Sequence, residues 1–207
     1  MKTIIKNIKE ILCITNKGED SFKKGKEMNT LNSLKDGWIS IENEKIKDFG
    51  SMDNWPGVDD WNETTIIDAN NGIVLPTFCD SHTHCVYAGS RELEFVDRIN
   101  GLSYEEIAQN GGGILNSAKL LSQTSEEELY EQSKQRIHDL IKLGTGAIEI
   151  KSGYGLNMDD EIKMLKVIKR LKENLPIDVK STFLGAHAVP KSHSQEEYVD
   201  LVVNKMI

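Results

Sequence analysis

The apolar positions change their rhythm near residue 71. Before that point they alternate in short runs: Thr3 to Thr15 holds two apolar clusters, and Trp38-Ile39-Ser40-Ile41-Glu42 alternates strictly. Asn43-Glu44 then supplies turn chemistry before Lys45-Ile46-Lys47-Asp48-Phe49-Gly50, a hairpin pattern. Gly18 to Leu34 is polar and reads as a loop, and Asp53 to Asn62, with two tryptophans and Pro56, reads as an irregular connection.

After residue 71 the rhythm lengthens. Ile73 to Cys79 is a short apolar run of the kind a buried strand carries, although Pro76 removes one ladder donor. Ser103 with Glu106 predicts a capped short helix, broken by Gly111-Gly112-Gly113. Ser125 and Glu128 cap a helix with Leu129, Ile137, Leu140 and Ile141 on its apolar side, ended by Gly144. Thr145 to Ile150 is the next strand. A helix from Asp159 with Ile162, Leu165, Ile168 and Leu171 at spacing three follows, then a strand over Ile177 to Leu184. Ser194 and Glu197 cap a last helix. Such alternation of strand and helix predicts an α/β protein with a parallel sheet.

Composition narrows the class. The 207 residues are 38% hydrophobic and 28% charged, a globular balance, with a formal net charge of -8. An acidic chain repels phosphate backbones, so nucleic acid is not an expected partner. No apolar run approaches the roughly 18 residues of a membrane span, and the lysines among the first residues do not suit a signal peptide. Cys13, Cys79 and Cys85 are odd in number and irregular in spacing, which predicts neither a disulfide framework nor a thiolate metal site. A reduced, cytoplasmic location follows.

The strongest chemical feature is Asp80-Ser81-His82-Thr83-His84. Side chains alternate along a strand, so His82 and His84 point one way and two imidazoles can reach one metal ion. A pair of surface histidines in a turn has the same spelling. The buried strand just before the pair favours a metal, because barrel enzymes build their sites at strand ends.

Leu75 to His84 resembles the first barrel strand of the amidohydrolase superfamily. Tyr87 to Glu92, Gly111 to Ile114, Glu149 to Leu156 and Thr182 to Pro190 resemble the imidazolonepropionases, in that family's order and spacing. Cys85-Val86-Tyr87 and Gly146 depart from the family pattern.

The resemblance implies a fold: the first half of a (β/α)8 TIM-like barrel over residues 71–207, preceded by part of a small β-sandwich domain over residues 1–70. It also implies roles. His82 and His84 are expected to bind one divalent metal, zinc or iron. Arg91 is expected to hold the substrate carboxylate, which suits a planar guanidinium. Tyr154 and Tyr104 are expected to contact substrate, and His187 to contact it and serve catalysis as a hydrogen-bond donor or proton shuttle. The single-metal pattern argues against a bridging role for Lys151. The implied reaction is hydrolysis of the cyclic amide of 4-imidazolone-5-propanoate to N-formimidoyl-L-glutamate in histidine degradation, by a metal-activated water.

The resemblance further implies a homodimer in the full-length protein, and places a third metal histidine, an aspartate and a catalytic glutamate beyond Ile207. These 207 residues alone are therefore expected to be inactive or nearly so. Two other readings remain open: another amidohydrolase, a cyclic amidase or a deaminase, and a non-catalytic fragment that self-associates.

Overall fold

A computed structural model describes residues 2–15 and 22–207, in two compact units, Met1–Pro76 and Thr77–Ile207. Gly18 to Ser21, the start of the expected polar loop, lie outside the described residues.

The first unit is built on one five-stranded sheet. Its strands are β1 (Lys2–Leu12), β2 (Ser33–Glu42), β3 (Lys45–Ser51), β4 (Thr64–Asp68) and β5 (Ile73–Val74). The order is β3-β2-β1-β4, with β5 also paired to β1. The expected hairpin is β2–β3: Glu42 pairs with Lys45, and Asn43 and Glu44 both have positive φ, 50° and 65°. Two left-handed residues match the twist of the flanking strands. Ile8, Ile11 and Ile39 form the core of this unit, with Ile5, Leu34 and Val74 against them.

Val74 in that core corrects the reading of residues 73–79 as one strand. Ile73 and Val74 pair in parallel with Glu10 and Ile11 of β1. The next strand, β6, is Phe78–Thr83 and belongs to the second unit. Pro76 stands between them, where a missing N–H and a fixed φ end the ladder.

The second unit holds a three-stranded parallel sheet, β6, β7 (Thr145–Lys151) and β8 (Asp178–Thr182), in that order. Four helices connect β6 to β7: α1 (Glu92–Ile99), α2 (Tyr104–Gln109), α3 (Ile114–Gln123) and α4 (Glu126–Lys142). The last two strands are joined by α5 (Met158–Asn174), and α6 (Gln195–Leu201) follows β8. All three expected caps form: Glu106, Glu128 and Glu197 donate their backbone N–H groups to the hydroxyls of Ser103, Ser125 and Ser194. Gly144 ends α4 at φ +97°.

Helices α1 and α3 were not foreseen. In α1 the apolar residues Leu93, Phe95, Val96 and Ile99 are all exposed. On α5 the expected ridge is also redrawn. Ile162 is exposed, while Met164, Val167, Ile168 and Leu171 are buried. A strict spacing of three falls short of 3.6 residues per turn and drifts off the core face within two turns. Those four side chains pack with Leu129 and Ile137 of α4 and Ile148 and Ile150 of β7 into the core of the unit.

Gly146, one of the departures from the family pattern, has a packing cause: a Cβ there would lie 2.0 Å from Thr77 Oγ1. Among the described residues, no helix is long and apolar enough to cross a membrane.

Candidate active site

The carboxyl ends of the three parallel strands carry the candidate residues. Between Asp80 and Thr83, β6 spends three steps where β7 spends two, from Ile148 to Ile150. Such a bulge bends a strand and re-aims its side chains. The Thr83 hydroxyl donates to the Glu149 carbonyl at 2.7 Å, so the residue between the two histidines is tied down to β7. His82 and His84 flank that anchor, with ring centroids 5.8 Å apart and planes at 63°. His82 is exposed and His84 is part-buried.

His84 is the hub of the cluster. Its ring centroid lies 5.1 Å from that of Tyr154, on the loop after β7, and 4.9 Å from that of His187, on the loop after β8. Tyr154 and His187 are 5.7 Å apart. Burial pushes the His84 pKa down, and the His187 and His82 charges add to that, with the nearby Ser152 backbone acting weakly the other way. A neutral imidazole is the form a metal ligand needs.

The donor set also bears on a metal. His84 Nδ1 is buried and has no hydrogen-bond partner among the described residues, an uncommon condition for a native polar atom. A cation would satisfy it. No group of three His, Cys, Asp or Glu side chains able to hold a metal occurs among the described residues. The two imidazoles therefore fit part of a ligand set, since catalytic sites usually use three protein ligands.

Arg91 stands immediately before α1. Its Nε donates to Glu94 Oε2 at 2.8 Å, and Nη2 reaches the same oxygen. Glu94 Oε1 accepts from the Gly113 N–H at 3.0 Å, which joins the arginine to the triple-glycine loop. Arg91 is thus held in an ion pair with Glu94. Arg91 still lies close enough to Tyr154 for its charge to oppose the rise that burial imposes on the phenol pKa. Tyr104 is exposed and lies against Arg98. The structure thus brings Tyr154, His84 and His187 together, with His82 beside His84, and the charge of Arg91 reaches Tyr154.

Glu149 and Lys151, on one face of β7, pair with each other at 2.6 Å, and the Thr182 hydroxyl donates to Glu149 at 2.5 Å. Lys151 is spoken for by that carboxylate.

No family model matches the chain. The imidazolonepropionase of Christiangramia forsetii is 56% identical over 211 residues, covering 100% of this chain and 50% of that protein. The imidazolonepropionase of Flavobacterium johnsoniae is 54% identical with the same coverage. The chain belongs to the imidazolonepropionase family. It spans about half the length of the curated relatives it matches. Among solved structures, guanine deaminase from E. coli aligns with a TM-score of 0.59 at 12% identity, over 98% of this chain and 42% of that one. A metal-dependent hydrolase from Pyrococcus furiosus aligns with a TM-score of 0.55 at 14% identity, over 88% of this chain and 50% of that one. These likenesses are of fold.

Several residues that hold these loops together had no role in the sequence reading. Ser152 is fully buried and its hydroxyl accepts from the Leu184 N–H at 2.9 Å, tying the Tyr154 loop to the His187 loop. Tyr198, on α6, donates its phenol to the Gly185 carbonyl at 2.7 Å. Glu161 is 1% exposed in the first turn of α5. One signal was available for it: Glu161, Met164, Leu165 and Ile168 share a helix face, so a charge sits on the apolar stripe.

Proposed function

We propose that the intact protein hydrolyses the cyclic amide bond of 4-imidazolone-5-propanoate to N-formimidoyl-L-glutamate in the cytoplasm, as a step of histidine degradation. Family membership supports the substrate class. One observation carries the assignment to these residues: the rings of His84, Tyr154 and His187 gather within 5.7 Å of one another at the ends of three neighbouring parallel strands, beside Arg91.

His82 and His84 would hold one divalent cation, zinc or iron, together with ligands outside this set. The unpartnered His84 Nδ1 supports that reading, as does the zinc named for the fold-sharing atrazine chlorohydrolase from Arthrobacter aurescens. Such an ion, when bound, supplies Lewis acidity at a carbonyl and a good nucleophile from water near neutral pH.

The remaining work falls to this chain's side chains. Arg91 spends Nε and Nη2 on Glu94, which orients the guanidinium and leaves the Nη1 edge to take the propanoate group. Tyr154, gathered with His84 and His187 and within reach of the Arg91 charge, would hydrogen-bond the bound ring through its phenol. His187 would donate a hydrogen bond to the ring carbonyl oxygen as water adds to that carbon, and its proton would pass to the ring nitrogen when the C–N bond breaks. Tyr104 would line the approach.

Replacing Arg91 with Met tests the reading. Loss of a charge-assisted hydrogen bond costs about 1.5–3 kcal/mol, so kcat/KM should fall on the order of 10- to 100-fold. The fall should appear mainly in KM, and should be small for the methyl ester of the substrate. Equal losses on acid and ester would sink the assignment and favour another cyclic amidase or a deaminase.

A further inference from the structure

We propose that Glu161 is the positioning residue of the candidate site, and that its carboxylate winds the loop from Ser152 to Asn157 into the shape that presents Tyr154. The proposal rests on Tyr154 being a substrate contact, and it adds what puts the phenol there.

The loop is wrapped around the carboxylate. Oε1 of Glu161 accepts from the N–H groups of Gly155 at 2.7 Å, Gly153 at 3.1 Å and Leu156 at 3.3 Å, and Oε2 accepts from Gly153 at 3.1 Å. Converging backbone N–H groups normally make a concave nest for an anion from outside. Here the protein's own side chain fills it. Glu161 enters no ion pair among the described residues, so backbone dipoles, aided by the amino end of α5, carry the compensation of a buried charge.

The backbone is shaped for this contact and for little else. Gly153 has φ +114° and Leu156 has φ +55°, an uncommon region for a branched side chain. A Cβ at Gly155 would lie 2.4 Å from the Glu161 nitrogen, so only glycine allows the approach. Tyr154 sits between two glycines whose N–H groups are both held by Glu161. Its backbone is pinned on either side while its ring points away to His84 and His187. A displacement of the order of 1 Å in such a group can cost about 100-fold in rate. Free of the carboxylate, three neighbouring N–H groups would turn to other acceptors and the phenol would lose its fixed place.

The test is Glu161→Gln in the intact protein, read in two ways. The amide keeps the shape but loses the charge that holds three N–H groups at Oε1, and turns an NH2 group on the Gly153 N–H from which Oε2 accepts. Hydrogen exchange should show protection lost at residues 153–156 and kept in α5 and in β7. Turnover should show kcat/KM reduced on the order of 10- to 100-fold. In a double-mutant cycle, Glu161→Gln combined with Tyr154→Phe should be no worse than Tyr154→Phe alone, because both act through one phenol. Glu161→Asp, which keeps the charge on a shorter arm, should fall between, and it carries the same cycle if the glutamine variant does not fold.

Unchanged exchange in the loop overturns the proposal, and so do effects that simply multiply. A damaging Tyr154→Phe with a harmless Glu161→Gln removes the positioning role alone. A harmless Tyr154→Phe, with loop protection still lost in Glu161→Gln, instead removes the substrate-contact reading and the proposal with it.

Discussion

The imidazole of His84 lies 4.9 Å from that of His187, centroid to centroid, with the ring planes inclined by 31°. The two residues are 103 positions apart and follow the two outer strands of the sheet, with β7 between them. With the two rings this close, metal content is the measurement that separates the metal role proposed for His84 from the substrate role proposed for His187. His84→Ala should abolish stoichiometric zinc in a metal titration, and His82→Ala should weaken it. His187→Ala should leave the metal content unchanged and lower turnover alone. Loss of zinc from the His187 variant would move that residue into the ligand set.

Glu94 is predicted to link stability to acid pH. Its hydrogen bond to Arg91 holds the carboxyl below the ordinary glutamate range; burial opposes this, and the Gly113 N–H adds to it. A carboxyl lowered in the folded state binds fewer protons there than in the unfolded chain. Its stabilisation is therefore complete above the unfolded pKa and drains away as pH falls through the folded one. Glu94→Gln should cost about 1–2 kcal/mol at pH 7, discounted for the exposure of Arg91. The gap to the parent protein should close in denaturant titrations as pH falls through and below the ordinary glutamate range. A constant gap across that range would rule the link out.

Gly153 is predicted to tolerate no side chain. Its φ is +114°, and a Cβ would lie 2.9 Å from His187 Cβ and 3.0 Å from the Leu184 carbonyl oxygen. Gly153→Ala should destabilise by about 1–3 kcal/mol through backbone strain alone. It should also push the His187 loop away from Tyr154. Urea titration with an unchanged slope and a lowered midpoint reports the first effect. A quenched or shifted His187 ring signal in NMR reports the second. A midpoint equal to that of the parent would show that the loop relaxes freely.

Much of this was readable from local pattern. The β2–β3 hairpin followed from strict alternation around Asn43-Glu44, and three helix starts followed from Ser103, Ser125 and Ser194, because turns and caps are satisfied by residues three or four apart. His82 and His84 stood out for the same reason, as neighbours on one strand. Helix α1 carries Leu93, Val96 and Ile99 at helical spacing and was legible on the same grounds, whereas the run from Ile73 to Cys79 was divided by a proline whose effect depends on which strands lie on either side.

By itself, then, the order of residues determined the strand-and-helix alternation, three helix starts, one hairpin, the histidine pair and the family. The tertiary structure alone decided that Val74 joins the first core, that Glu94 holds Arg91, and that a buried carboxylate from α5 gathers the loop bearing Tyr154. Those contacts join residues from 3 to more than 60 positions apart and depend on where a side chain turns once neighbouring strands and helices pack. A one-dimensional pattern records the spacing of residues along an element, but not which buried polar atom will meet which backbone donor across the fold.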